Sequence, residues 1–134
     1  MNSRPTRLSP EDRELWEIFE RDNPEFAPDI KFDVRVGEGF DPGPSFAEEI
    51  RRDSVMLTQR RIDVVCTWPE KIWLMEITHT ASLRAIGQME VYPFLFMQTF
   101  RAQQPIYVVL MYRHCDADLE RYIQTKGLNT VQIL

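Results

Sequence analysis

Apolar and polar positions alternate with period two from Ile30 to Val36, through Ile30, Phe32, Val34 and Val36, which is the pattern of a half-buried strand near a sheet edge. Two later runs, Ile62 to Trp68 and Ile72 to Ile77, are apolar at nearly every position and rich in β-branched and aromatic residues, so they read as central strands. The short Pro69-Glu70-Lys71 connection makes them an antiparallel hairpin. Pro105 to Met111 forms another strand, and Thr130 to Leu134 a short last one. Elsewhere the period becomes helical. Ser9-Pro10-Glu11-Asp12 is a helix start with Ser9 as N-cap, and the helix runs to about Asp22 with Leu15, Trp16, Ile18 and Phe19 as its apolar stripe. Ser45-Phe46-Ala47-Glu48 offers a capping box for one or two turns through Arg52. From Ser82 a helix places Leu83, Ile86, Met89, Phe94 and Met97 on one side, with Pro93 expected to kink it or to divide it after Tyr92. Asp116 starts a last helix that Gly127 ends.

This order predicts an α/β fold, a mixed central sheet flanked by helices in the order α-β-β-β-α-β-α-β, with the strand after the Ser82 helix parallel to the one holding Glu76. The 134 residues suit a single domain, 1–134, with a core of its own. No stretch approaches the roughly 20 apolar residues of a membrane span, so no membrane role is expected. The first residues, Met1 to Arg7, lead at once into charged positions and carry no secretory h-region, so the expected localisation is cytoplasmic. Cys66 and Cys115 are far apart and in no ligand spacing, and Cys66 falls inside a strand as a small hydrophobe. The net charge of −5 excludes a protein that grips nucleic acid with its whole surface; any such contact needs a local basic patch, for which Arg51-Arg52 and Arg60-Arg61 are the only doublets. Gly37 to Pro44 is a loop that is flexible or contacts a partner. No phosphate-cradling glycine loop, nucleophile elbow or zinc spacing is present.

The chemistry lies in the hairpin. Strand alternation sets Glu76 and Thr78 on one face with Leu74, and Asp63 comes from the neighbouring strand. Two carboxylates converging from adjacent strands are hard oxygen donors suited to Mg²⁺ or Mn²⁺. The alternative is that both are rim residues paired with Arg60, Arg61 or Arg84. Burial separates the two readings, because an unpartnered carboxylate in an apolar strand is costly. Arg84, Gln88 and Tyr92, spaced i, i+4, i+8, form a polar stripe on the following helix. Alternation points His79 to the opposite face, and His114 follows a strand in a loop.

An acid-bearing strand, a turn, a second strand with Glu76-x-Thr78, and a helix with Gln88-Met89-Glu90-Val91-Tyr92 together resemble the PD-(D/E)XK nuclease superfamily, in its RecB-like branch. The resemblance covers roughly Arg60 to Met111 and implies a restriction-endonuclease-like sheet. It further implies that Asp63 and Glu76 bind the metal, that Gln88 and Tyr92 support the site or the substrate, and that Glu17 or Glu20 supplies an upstream acid. The residues themselves, apart from the resemblance, offer Arg84 on the helical stripe and the Arg60-Arg61 doublet as the groups to meet a phosphate of the substrate. Thr78 stands where that superfamily carries a lysine. A hydroxyl there only hydrogen-bonds, and the replacement cation available from the neighbouring helix is Arg84. The implied function is metal-dependent hydrolysis of DNA by a degenerate active site. The alternative is a catalytically silent nuclease-like fold that binds protein partners or self-assembles as an oligomer, for example as a structural protein of a phage particle.

Overall fold

The computed structural model describes residues 7–134. The reading of the first six residues as lacking a secretory leader lies outside the described residues. Among the described residues the elements are α1 (Pro10–Asp22), β1 (Asp29–Val36), α2 (Glu48–Thr58), β2 (Arg60–Thr67), β3 (Ile72–Thr80), α3 (Leu83–Phe100), β4 (Ile106–His114), α4 (Ala117–Lys126) and β5 (Asn129–Gln132). All five strands join one mixed sheet in chain order. β1, β2 and β3 pair antiparallel, while β3, β4 and β5 pair parallel, as the α3 and α4 crossovers require. None of these helices is long and apolar enough to cross a membrane.

One face of the sheet is covered by α1. Ser9 accepts from the Asp12 N–H at 3.1 Å, and Pro10 starts the helix where its missing N–H costs nothing. Leu15, Trp16 and Phe19 then pack on Val64, Cys66, Met75, Ile77, Val109 and Met111. Each such apolar side chain, once fully buried, contributes about 1.5–3 kcal/mol. Cys66 and Cys115 are free thiols, and burial pushes the Cys66 thiol up to about 12. The other face takes α3 and α4, with Tyr92 and Phe96 against Val65, Ile72 and Leu74, and Ala85 and Met89 beside Leu110, Leu119 and Ile123.

Two expectations for helices change. Of the kink and the division expected at Pro93, the division does not occur: α3 is one helix through it. Tyr92 and Phe96 are both anchored in the core on either side of Pro93, so packing offsets the lost backbone bond. Its inward face also differs from the expected one: Ala85, Met89, Tyr92 and Phe96 are buried, whereas Leu83 is 82% and Phe94 63% exposed, with Met97 also exposed. α2 begins at Glu48, runs to Thr58 and has no side-chain cap, so the capping box at Ser45 does not form. It buries no residue. Loop 37–47 folds against it through polar contacts: Arg51 holds Asp41 in a two-pronged ion pair, Ser54 donates to the Phe40 carbonyl, and the Phe40 N–H donates to Thr58.

The alternation of β1 and β2 slips at one level. Val64 packs with α1 and Ile62 with α3, although they are two residues apart. Phe32 and Val34 divide between the faces in the same way across Asp33, which is held at φ +53°. A side chain two residues along a regular strand stays on its face, so the backbone turns over at Asp33 and Asp63 together.

Candidate active site

The β2–β3 ladder ends at Val64 paired with Met75, one step before Asp63 and Glu76. Beyond it the strands separate, and the Asp63 carboxylate accepts the free Ile77 N–H at 2.8 Å. The divergence opens a cleft of about 580 Å³ between the N-terminal ends of α1 and α3. Asp63, Glu76, Thr78, Gln88, Tyr92, Arg84, Arg60 and Arg61 all line it, so the residues singled out from the sequence come together in one place.

Glu76 is 4% exposed and is the one buried charged side chain among the described residues. Its Oε1 has no partner among ordinary donors, and the one side-chain hydrogen bond of the carboxyl is to the Asp63 carboxyl. Burial first, and the neighbouring Asp63 second, drive the Glu76 carboxyl well above the usual carboxylate range. Burial raises Asp63 as well, and the Ile77 N–H partly opposes that rise. Two adjacent carboxyls with pKa values pushed up and apart share a proton near neutral pH. Gln88 Nε2 donates to the Tyr92 hydroxyl at 3.2 Å, and burial followed by Glu76 raises the phenol. Thr78 donates its hydroxyl to the Thr80 carbonyl at 3.0 Å.

An unpartnered buried oxygen beside a second carboxylate fits a hard divalent cation, which prefers oxygen donors. Among the described residues no group of three or more His, Cys, Asp or Glu side chains forms a ligand cluster, so the protein side chains Asp63 and Glu76 would hold such an ion with oxygens from water, backbone or substrate.

The structure adds residues that the sequence reading passed over. Asp12, not Glu17 or Glu20, is the α1 acid on the cleft; Glu20 lines a separate aromatic cavity with Trp16, Phe19 and Trp68, and Glu17 lies on the exposed side of the helix. Asp12 Oδ1 accepts the His79 N–H at 2.7 Å, which ties α1 to β3 beside the acid pair. Its position in a helix first turn gave it an ordinary explanation and hid the second role. Asp33 also lines the cleft, exposed to it by the backbone turnover that no residue pattern marks. His79 points away, as alternation predicts. Its Nδ1 lies 3.8 Å from Glu11, and its ring meets His114 at the end of β4, 5.0 Å between centroids. Comparison of the chain with family models, with curated proteins and with solved structures finds no match.

Proposed function

We propose that this chain is a metal-dependent phosphodiester hydrolase acting on DNA, with Asp63 and Glu76 as its centre. The observation that carries this reading is the orphaned Glu76 oxygen, buried beside Asp63 on the wall of an open cleft. Leaving such a group unpaired costs about 1–3 kcal/mol, more when charged, and a ligand offsets that cost. Asp63 and Glu76 hold the ion, Mg²⁺ or Mn²⁺. When bound, such an ion makes hydroxide accessible near neutral pH and stabilises charge on the phosphoryl group. Arg84, exposed in the first turn of α3, meets a phosphate oxygen. Gln88 and Tyr92 form a hydrogen-bonded pair whose free donors and acceptors orient the strand. Thr78 supplies a hydroxyl where a positive charge is expected, so the rate should be low. Plasmid or oligonucleotide cleavage with Mg²⁺ or Mn²⁺ tests the reading against Glu76→Ala. Absence of metal-dependent cleavage, or equal cleavage by the variant, overturns it.

A second reading is a catalytically silent nuclease-like fold that binds a partner or assembles. The exposed apolar residues of α2 and α3, Leu57 and Phe94 among them, and the hydroxyl at Thr78 favour it. Light scattering separates the two: a strictly monomeric protein that cuts DNA supports the hydrolase, and a stable oligomer without cleavage supports assembly.

A further inference from the structure

The register of the first two strands sets Arg35 directly opposite Arg61, with Val36 opposite Arg60. Like charges directly opposite across an antiparallel pair destabilise it. Arginine cannot relieve the repulsion by losing its proton. Arg7 reaches the same end of the molecule, since Arg7 and Arg61 both line the cleft. Arg61 is half-buried and feels both Arg35 and Arg7 as repulsive neighbours, against which Asp33 is the opposing acid. Arg61 thus has two guanidinium neighbours and one acidic neighbour. Fork-shaped donors in this number match the oxygens of a phosphate, bound with two parallel hydrogen bonds by each arginine that faces it.

The position is as informative as the charge. Arg61 precedes Asp63 by two residues, about 7 Å along a strand, and Arg35 lies on the exposed edge strand beyond it. A phosphate held there is displaced from the acid pair by the scale of one nucleotide step. We propose that Arg7, Arg35 and Arg61 form a second phosphate-binding subsite that takes a non-scissile phosphate of a polynucleotide strand. This rests on the hydrolase reading of the cleft, and it gives the strand a direction, from the acid pair across β2 toward the β1 edge.

The test is metal-free binding. Anisotropy of a fluorescein-labelled thymidine dodecamer is measured in EDTA over a salt series for the wild type, Arg35→Gln, Arg35→Lys and the double variant Arg35→Gln/Arg61→Gln. Arg35→Gln should weaken binding several-fold and lower the magnitude of the salt slope by about 0.7, the value for one phosphate contact on a single strand. Arg35→Lys should fall between, because it keeps the charge and loses the fork. Inorganic pyrophosphate should raise the melting temperature of the wild type and not that of Arg35→Gln, which controls for folding. Unchanged affinity and slope in both glutamine variants, or no binding by the wild type, overturns the subsite. A pyrophosphate effect without Arg35-dependent binding of the dodecamer assigns the arginines to a free anion and overturns the strand assignment. Failure of the hydrolase reading is distinct: it appears as absent cleavage with Mg²⁺ or Mn²⁺, whatever the EDTA binding shows.

Discussion

Glu76→Gln separates the ionisation of the acid pair from its packing, because the amide has nearly the same volume and cannot release a proton. In the unfolded chain Glu76 titrates near 4.5. In the fold, burial and Asp63 keep it protonated well above that value. The folded state therefore binds a proton that the unfolded state has released. The associated stability is complete below about pH 4.5 and is lost as pH rises, at about 1.4 kcal/mol per unit. By about pH 7 the loss reaches ~3 kcal/mol. Asp63, also raised, adds a loss of the same sign that begins near its ordinary 3.8. Glu76→Gln does not take up that proton, so at about pH 7 it should be more stable than the wild type by ~3 kcal/mol, roughly 10 °C in Tm for a domain of this length. Near pH 4.5 the two proteins should melt together. Thermal melts in EDTA across a pH series measure the difference directly. A difference independent of pH, or a variant less stable at neutral pH, means that Glu76 is ionised and held by a cation within the protein, and the account of the acid pair given above is then wrong.

Other perturbations follow from single contacts. Thr78→Lys places an ammonium on the cleft beside Glu76; in the hydrolase reading it should raise Mg²⁺-dependent cleavage on the order of 100-fold, the scale of one well-placed charge donor, whereas a silent fold gains nothing. Tyr92→Ala removes a buried ring from the cluster with Ile62, Leu74 and Phe96 and should cost about 3–5 kcal/mol in chemical denaturation. Tyr92→Phe loses only the contact with Gln88 and should cost about 1 kcal/mol or less, while lowering cleavage. Gly39→Ala should loosen only the loop over α2: Gly39 sits at φ +68°, and an added Cβ would lie 2.5 Å from the Val55 carbonyl oxygen. Limited proteolysis should cut between Gly37 and Thr58 faster in this variant while the global Tm holds; a fall in Tm with no change in cutting would show that the loop is part of the cooperative core.

The sheet was legible because its strands are apolar in a way that leaves little choice. Ile62 to Trp68 and Ile72 to Ile77 could only be inner strands, and both are. The residues gathered in the cleft were legible for the same reason: a carboxylate in such a strand stands out, and Gln88 and Tyr92 follow at helical spacing. Three things were hidden. The outward face of α3 also carries large apolar residues, so apolarity alone did not separate it from the inward face and pointed the wrong way at Leu83, Phe94 and Met97. α2 contributes no buried side chain, so no periodic stripe could reveal its length. The turnover at Asp33 and Asp63 leaves the residue pattern of β1 intact, since each strand still alternates on either side of it. That last feature brings Asp33 and Arg61 into reach of the acid pair.

The charge arrangement determines what has to happen before a phosphate approaches Asp63 and Glu76. The acids Asp12, Asp33, Asp63 and Glu76 share the cleft with Arg7, Arg60, Arg61 and Arg84. Arg84 is the cation acting on Glu76, and it stands exposed in the first turn of α3 while Glu76 is buried. A phosphate at 4 Å from an ionised carboxylate is opposed by about 4 kcal/mol at an effective dielectric constant near 20. Protonation of Glu76 removes one such repulsion, and a divalent ion removes both. Strand affinity at the acid pair should therefore rise with Mn²⁺, whereas affinity at the arginine subsite should not. Arg35→Gln should weaken the metal-independent part of dodecamer binding and keep the Mn²⁺ increment; Glu76→Gln should do the reverse. Two variants that lose the same part would place both phosphates at one site, and the separation of charge along β2 would then have no role in binding.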